Sequence, residues 1–301
     1  MPRVSVIIPA YNRKAMLCEA VDSVLAQNYR DFELFVVDDG STDGTSEELA
    51  ARYGGRVRML RQANRGVAAA RNFGVRCSDG EYVAFLDSDD LWRPKKLALQ
   101  VKFMEADRRR RICQTEEIWI RNGVRVNPKT KHRKPSGEVF RASLELCLVS
   151  PSAVLMTREL FDDVGGFDET FSVCEDYDLW LCIARDHHVE LVPESLVIKR
   201  GGHADQLSRS TWGFDRFRVQ ALKKLLRSGL CGEKRAWAID ALARKARILA
   251  VGARKRGREA EALEYDSLLA EFIGENDGPG DPVVLPEQGL SPAYGGALAR
   301  L

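Results

Sequence analysis

The chain has 301 residues and a mass of 33.7 kDa, room for one large domain or two modest ones around a sizeable core. Hydrophobic residues at 45% and charged residues at 30% exclude wholesale disorder, and a net charge of +2 points to no particular partner. The charge is nevertheless segregated: residues 214–258 hold fourteen Lys/Arg against three Asp/Glu, residues 259–301 hold nine acids and Arg300, and residues 1–213 are left at −1. Seven cysteines (18, 77, 113, 147, 174, 182 and 231) at irregular spacing, with no C-x-x-C, exclude a zinc ribbon or a thioredoxin-type site and predict buried thiols in a reducing compartment. The opening MPRVSVIIPAY reads as a strand rather than a signal peptide, and no apolar run is long enough to span a membrane. A cytoplasmic protein is expected.

The first ninety residues alternate in type. Val4–Ile8 is an apolar run closed by Pro9, and Arg13–Gln27 carries Ala15, Met16, Ala20, Val24 and Leu25 at helical spacing. Phe32–Val37 is a second run ending in Asp38-Asp39-Gly40, followed by a helix over Thr42–Tyr53 capped by Thr42 or Asp43. Val57–Leu60, an Ala-rich helix over Gly66–Cys77, and Tyr82–Leu86 complete the series. Strands separated by such helices predict βαβ units and a parallel sheet. Continuous rather than alternating apolar runs suit strands covered on both faces. Further along, Thr115–Ile120 and Gly137–Phe140 are expected to pair around a basic loop, Val154–Met156 to form a strand, and Glu175–Asp186 a helix. Beyond Gly213 the pattern is helical, and residues 274–301, rich in Gly and Pro without periodicity, read as a mobile tail.

Ligands of parallel sheets bind beyond the carboxyl ends of the strands. The residues found there are polar: Pro9-Ala10-Tyr11-Asn12, Asp38-Asp39-Gly40-Ser41, Arg61-Gln62-Ala63-Asn64 and Asp87-Ser88-Asp89-Asp90. Asp87 and Asp89, two apart on an extended segment, point to one side. Such hard oxygen donors suit Mg²⁺ or Mn²⁺ held together with substrate phosphates. A helix cap is the competing reading, since Leu91-Trp92-Arg93-Pro94 looks like a helix start, and Asp90 is the candidate cap.

VSVIIPAYNR (4–13), VVDDGSTDGT (36–45), NRGVAAARNFGV (64–75) and GEYVAFLDSDD (80–90) resemble the successive motifs of family 2 glycosyltransferases, and EDYDLW (175–180) resembles that family's downstream acidic motif. The resemblance covers about residues 1–200 and is absent after 213. It implies an α/β GT-A fold, a mostly parallel sheet flanked by helices, over residues 1–212, divided into a nucleotide-binding half (1–106) and an acceptor/catalytic half (107–212). A basic helical extension (213–273) and the tail would follow. It also implies an inverting transferase that uses a nucleotide-sugar donor, a UDP-sugar above others, and a divalent cation, Mn²⁺ or Mg²⁺. Carried over by position, Asp39 would meet the nucleobase, with Pro9, Ala10 and Tyr11 beside it. Arg71 would approach the base or the phosphates, Asp87 the ribose, Ser88 the nucleotide beside it, and Asp89 with Asp87 the cation. Asp38 is expected to fix the turn.

The same resemblance puts the general base at Asp176, with Glu175 orienting it or touching the acceptor. First-turn acids are also ordinary helix stabilisers. Gly166, in Gly165-Gly166-Phe167-Asp168-Glu169, is a candidate for close approach to the acceptor or simply a tight turn. His203 is a candidate third cation ligand. Residues 121–134 hold six Lys/Arg and no acid, which suits a phosphate- or carboxylate-bearing glycan or lipid-linked acceptor. Trp119, Arg121 and His132 are the side chains expected to touch it. The basic helices over 214–258 could lie peripherally on the inner, anionic face of a membrane or pair with the acidic stretch that follows. Nucleic acid is not expected, because no helix-turn-helix, RRM or finger signature accompanies the charge. The rivals are a nucleotide-sugar-binding protein without turnover and a sugar-phosphate nucleotidyltransferase. The latter lacks its Gly-rich loop after the first strand, and a Rossmann dehydrogenase lacks its G-x-G-x-x-G.

Overall fold

A computed structural model describes residues 2–127, 129–202, 213–268 and 270–273. In chain order the elements are β1 (Val4–Ala10), α1 (Lys14–Leu25), β2 (Phe32–Asp38), α2 (Thr45–Tyr53), β3 (Arg58–Arg61), α3 (Val67–Arg76), β4 (Tyr82–Phe85), β5 (Leu91–Trp92) and α4 (Lys96–Glu105). There follow β6 (Ile112–Arg121), β7 (Val124–Val126), α5 (Phe140–Glu145), β8 (Val154–Thr157), α6 (Arg158–Asp163), α7 (Glu175–Asp186) and β9 (Glu190–Gly201). Four helices close the described chain: α8 (Phe214–Arg227), α9 (Gly232–Arg254), α10 (Glu259–Ser267) and α11 (Ala270–Ile273).

The strands form one sheet in the order β3-β2-β1-β4-β8-β6-β9-β5, with β7 hairpinned onto β6. β3, β2, β1 and β4 are mutually parallel, whereas β8 runs antiparallel to both β4 and β6. The apolar runs are continuous because the sheet separates two cores. Val4, Val6 and Ile8 face one, and Ile7, with Val37, Val83 and Phe85, faces the other. A proline is tolerated inside β1 for a local reason. Ile7 O accepts from Leu86 N–H and Ala10 O from Asp39 N–H, so alternate residues bond to β4 and β2, and Pro9 falls on the β4 side beyond the last β1–β4 pair, Ile7 with Phe85. The chain runs from β1 outward through β2 to β3 and then returns to the other side of β1 as β4. This reversal makes the carboxyl ends of β1 and β4 the switch point where a crevice opens.

Three local expectations are corrected. Leu91-Trp92 does not begin a helix: it pairs antiparallel with Val197 and Ile198 of β9, a partner more than a hundred residues away, and the helix starts at Lys96. Gly137–Phe140 is not a strand. Gly137 makes one bridge to Val189, and Phe140 opens α5. The hairpin partner of β6 is instead β7, through Asn122-Gly123, both at positive φ (50° and 76°), the turn chemistry of a tight hairpin. Finally, α2 starts at Thr45 behind Gly44, and Asp43 acts just outside it, accepting from the backbone N–H and the hydroxyl of Thr45.

The C-terminal helices join the core rather than standing apart. Val219, Leu222, Leu225, Leu226 and Leu242 pack with Phe140, Leu144, Tyr177 and Trp180. Lys224 clamps the extension by donating to Asp168 (2.8 Å) and to Asp178 (2.7 Å) of α7. Part of the basic block meets acids of the following stretch: Arg254 pairs with Glu259 and Asp266, Arg258 with Glu261, and Arg227 with Glu271, while Arg218 and Arg244 pair with Asp215 and Glu145 instead. Among the described residues, no helix is long and apolar enough to cross a membrane. Residues 274–301, expected as a tail, and His203 lie outside the described residues.

Candidate active site

The polar clusters predicted at the strand ends converge around the switch point. After β2, Asp38 is fully buried and accepts from the Ser41 N–H (2.8 Å) and from Ser46, which fixes the turn as expected. Burial raises its pKa, but hydrogen bonds from Ser41 and Ser46 outweigh this and hold the carboxyl below the ordinary value. The turn needs Gly40, at φ +85°, where a Cβ would stand 3.0 Å from the Asn64 nitrogen. Asp39 is turned toward the β3–α3 loop: Oδ1 accepts from Gln62 Nε2 (2.7 Å) and Arg65 N–H (2.9 Å), Oδ2 from Gly66 N–H (2.9 Å). It thus ties two strand-end loops together. Pro9 and Ala10 are buried in β1, while the Tyr11 ring beyond them is 49% exposed and open to a planar ligand.

After β4 the carboxylate oxygens of Asp87, Asp89 and Asp90 lie within 4.8 Å of one another. Their partners differ. Asp87 Oδ1 accepts from Arg71 at 2.7 Å, and Asp89 Oδ2 from Arg13 at 2.6 Å. Ser88, between them, is buried. Asp90 is no helix cap. At 1% exposure it accepts from Ser152 Oγ (2.7 Å) and from the Arg200 N–H (2.9 Å), pinning the loop to β9. Burial pushes its carboxyl well above the ordinary range, Lys199 opposing and Asp89 and Asp87 adding to the push. Two accessible carboxylates with a third beneath them are the hard-oxygen set that fits Mg²⁺ or Mn²⁺.

Arg71 joins this cluster to α7. Its guanidinium, 3% exposed and 5.0 Å from the centre of the Phe167 ring, donates to Asp87 and, at 2.6 Å, to Glu175 Oε1. Segments sixteen and 104 positions from residue 71 are thereby drawn to one centre. Burial, with Asp176 beside it, pushes the Glu175 carboxyl up to about 7 against the pull of Arg71. Asp176 is half-buried at the start of α7. Its Oδ1 accepts from the Tyr177 N–H (2.7 Å), and its Oδ2 faces Cys147 Sγ at 3.4 Å. The helix enters through Cys174 at φ +65°, a left-handed conformation uncommon outside glycine, next to this pair.

Sequence reasoning missed Lys199 and Arg13. Lys199, in register with Trp119 on β6, donates to Ser150 Oγ at 3.0 Å. Burial lowers its pKa, yet Glu117, Asp90, Asp87 and Asp176 outweigh this and hold it well above the ordinary value. Glu117 is the counterpart: burial opposes, but Lys134 and Lys199 bring its carboxyl down to about 2. Lys199 carried no sequence signal, because its position depends on the β6–β9 register, which shifts around Glu116. Arg13 ends the first motif and reads in the sequence only as the start of the helical segment Arg13–Gln27.

Of the acceptor candidates, Trp119 and His132 come together with ring centres 5.4 Å apart, and Trp119 Nε1 donates to Glu117 at 2.9 Å. Burial, with Lys131 and Lys129 near, lowers the His132 pKa. Arg121 is exposed at the end of β6, paired with Val124 of β7. Gly166 sits in a turn at φ +70°, where a Cβ would be 2.9 Å from Asn72 Oδ1 and 3.0 Å from Phe161, so close packing on α3 requires the glycine. The basic loop folds back far enough that Lys134 is enclosed against Glu117 (3.1 Å).

The sequence matches the family model "Glycosyl transferase family 2" over residues 5–165. It is 36% identical over 202 residues to an uncharacterized glycosyltransferase of Rickettsia felis, covering 64% of this chain and 32% of that protein. The chain thus spans about a third of the length of this relative. It is 31% identical over 190 residues to the Escherichia coli UDP-Glc:alpha-D-GlcNAc-diphosphoundecaprenol beta-1,3-glucosyltransferase WfgD, covering 63% of this chain and 72% of that one. Among solved structures it superposes on Staphylococcus aureus TarS in complex with UDP-GlcNAc at a TM-score of 0.66 and 16% identity, covering 91% and 94% of the two chains. It also superposes on the Pyrobaculum calidifontis mannosyltransferase PcManGT in complex with GDP-Man and Mn²⁺, at 0.57 and 21% identity, covering 92% and 88%. These likenesses establish the GT-A fold.

Proposed function

The chain belongs to glycosyl transferase family 2, and from that membership we propose that it is an inverting glycosyltransferase taking a sugar from a nucleotide-sugar donor, a UDP-sugar, to a glycan or lipid-linked acceptor. The observation that carries the reading is the Arg71 bridge, which holds an acid of the strand-end cluster and an acid of α7 to one guanidinium. A donor-binding acid cluster and a candidate base therefore share one crevice. Tyr11 stacks on the nucleobase, and Asp39 stands beside it while bracing the loop. Asp87 lines the ribose, with Ser88 next to it at the nucleotide. Asp89 with Asp87 would hold Mn²⁺ or Mg²⁺, with His203 as the candidate third ligand, and such an ion would supply positive charge to the diphosphate as it leaves.

Asp176 takes the proton of the acceptor hydroxyl as that oxygen attacks the anomeric carbon and the bond to the diphosphate oxygen breaks, inverting the configuration. Its oxygens are aimed by the Tyr177 N–H and the Cys147 thiol. Glu175, anchored on Arg71, keeps its neighbour in place. Trp119 offers a face and Arg121 and His132 polar edges to the acceptor, with the loop through Lys134 suiting an anionic one. WfgD's named acceptor is diphosphoundecaprenol-linked. A contact of α9 with the inner face of the membrane, from the cytoplasm, fits such an acceptor, and the exposed Ile248 and Val251 beside Arg247 and Lys255 support it. The test is a thermal-shift screen of nucleotides with and without Mn²⁺, followed by transfer and hydrolysis assays on UDP- and dTDP-sugars. Stabilisation by a nucleoside diphosphate that grows with Mn²⁺, and turnover lost in Asp89→Ala and Asp176→Asn, are expected. Full turnover in both variants would overturn the assignment.

A further inference from the structure

The acids proposed to take the cation already have partners, and one pairing is of a kind that a cation must disturb. Asp87 is held by Arg71, whose two terminal nitrogens are committed to Asp87 and Glu175 and whose side chain is enclosed. Asp89 is held by Arg13 at 2.6 Å, with both side chains 14% exposed, so the crevice can still reach them. Arg13 leaves the end of β1 two positions beyond Tyr11 and reaches across the switch point to the loop after β4. Its charge therefore lies at the switch point, beside the acids proposed to hold the cation.

Resting on the donor site proposed above, we propose that Arg13 and the divalent cation compete for Asp89, and that the donor's diphosphate receives the Arg13 guanidinium when the cation displaces it. A guanidinium and a divalent ion on one carboxylate repel strongly in a partly enclosed site. The guanidinium fork matches phosphate oxygens as well as it matches a carboxylate. Without nucleotide, cation binding breaks the Arg13–Asp89 ion pair and sets two positive charges side by side. With nucleotide present, the displaced side chain finds two phosphates. Cation and nucleotide then favour one another, and by linkage the effect is equal in both directions. Arg13 is thus a positioning residue whose effect appears as coupling between two ligands.

The experiment is a Mn²⁺ titration followed by electron paramagnetic resonance of the free ion, with no nucleotide and with whichever of UDP, dTDP or GDP binds best, on the wild type, Arg13→Met and Arg13→Lys. Thermal unfolding is recorded on each as a check of folding. In the wild type the nucleotide should tighten Mn²⁺ binding by about tenfold or more. Arg13→Met should bind Mn²⁺ about tenfold more tightly without nucleotide and show coupling weaker than the wild type by a similar factor, the remainder coming from direct contact of the ion with the diphosphate. Arg13→Lys, which keeps the charge but not the fork, should fall between. The nucleoside monophosphate should couple less than the diphosphate, and the gap between them should be wider in the wild type than in Arg13→Met. Unchanged or weaker nucleotide-free Mn²⁺ binding in folded Arg13→Met and Arg13→Lys, with coupling intact, would overturn the proposal while leaving the donor site standing. Wild-type protein that binds neither Mn²⁺ nor any nucleotide would overturn both.

Discussion

Glu175 offers the sharpest contest between opposing forces, and the outcome can be measured without knowing the substrate. Burial at 5% exposure and the neighbouring Asp176 disfavour its charge, while Arg71 at 2.6 Å favours it. In this structure the first pair wins, and the carboxyl rises from 4.5 to about 7. The folded protein then holds a proton that the unfolded chain releases, so stability is greatest at the acid end of that window and falls as pH rises from about 4.5 through about 7. At ~1.36 kcal/mol per pH unit, the gap is worth about 3 kcal/mol. Glu175→Gln removes this titration and little else that titrates. The assay is urea unfolding of both proteins at half-unit steps from pH 5 to 8.5, read as the wild-type stability minus that of the variant. That difference should fall by about 3 kcal/mol towards alkaline pH and then level off. Were the Arg71 ion pair to dominate, the carboxylate would be ionised in both states throughout, and the difference would be flat. A flat or rising difference refutes the reasoning.

Asp176→Asn should lower kcat by about 10²–10⁴-fold with an unchanged unfolding midpoint, as loss of a general base requires, and steady-state transfer kinetics check it. Lys96 is fully buried over the Trp92 ring, and burial takes its ammonium down to about 7. The unfolded chain binds the extra proton, so this group makes stability rise between about pH 7 and 10.5, and Lys96→Met should stabilise the protein at pH 7 by about 2–4 kcal/mol in urea unfolding. Gly74→Ala should cost about 1–3 kcal/mol by the same measurement, because a Cβ there would stand 2.6 Å from Ile7 Cγ2 where α3 lies on β1. Anionic vesicles should sediment the wild type and release Ile248→Glu, with equal sedimentation counting against the membrane contact.

The half of the site built on β1, β2 and β4 was legible because parallel strands covered on both faces must be continuously apolar, which leaves polar residues only at their ends. Asp38, Asp39, Asp87 and Asp89 are there for that reason. Glu175–Asp186 was equally readable, since its apolar spacing and first-turn acids agree. What failed depends on distant partners. Leu91-Trp92 has local features of a helix start and becomes a strand only because β9 supplies an edge, and Asp90 changes from a cap to a buried pin with it. The Arg71 and Arg13 ion pairs, like the place of Lys199, follow from how loops meet across the sheet, which spacing along the chain does not encode. Asn122-Gly123 is different, for its hairpin chemistry is local and present in the sequence.

The most direct measurement is an anomalous-scattering map at the manganese edge from crystals grown with Mn²⁺ and UDP. One dominant peak is expected about 2.0–2.3 Å from a carboxylate oxygen of Asp89, next to the diphosphate, with the uracil against Tyr11. A fully occupied nucleotide elsewhere, or a manganese peak out of reach of Asp89 and Asp87, would contradict it.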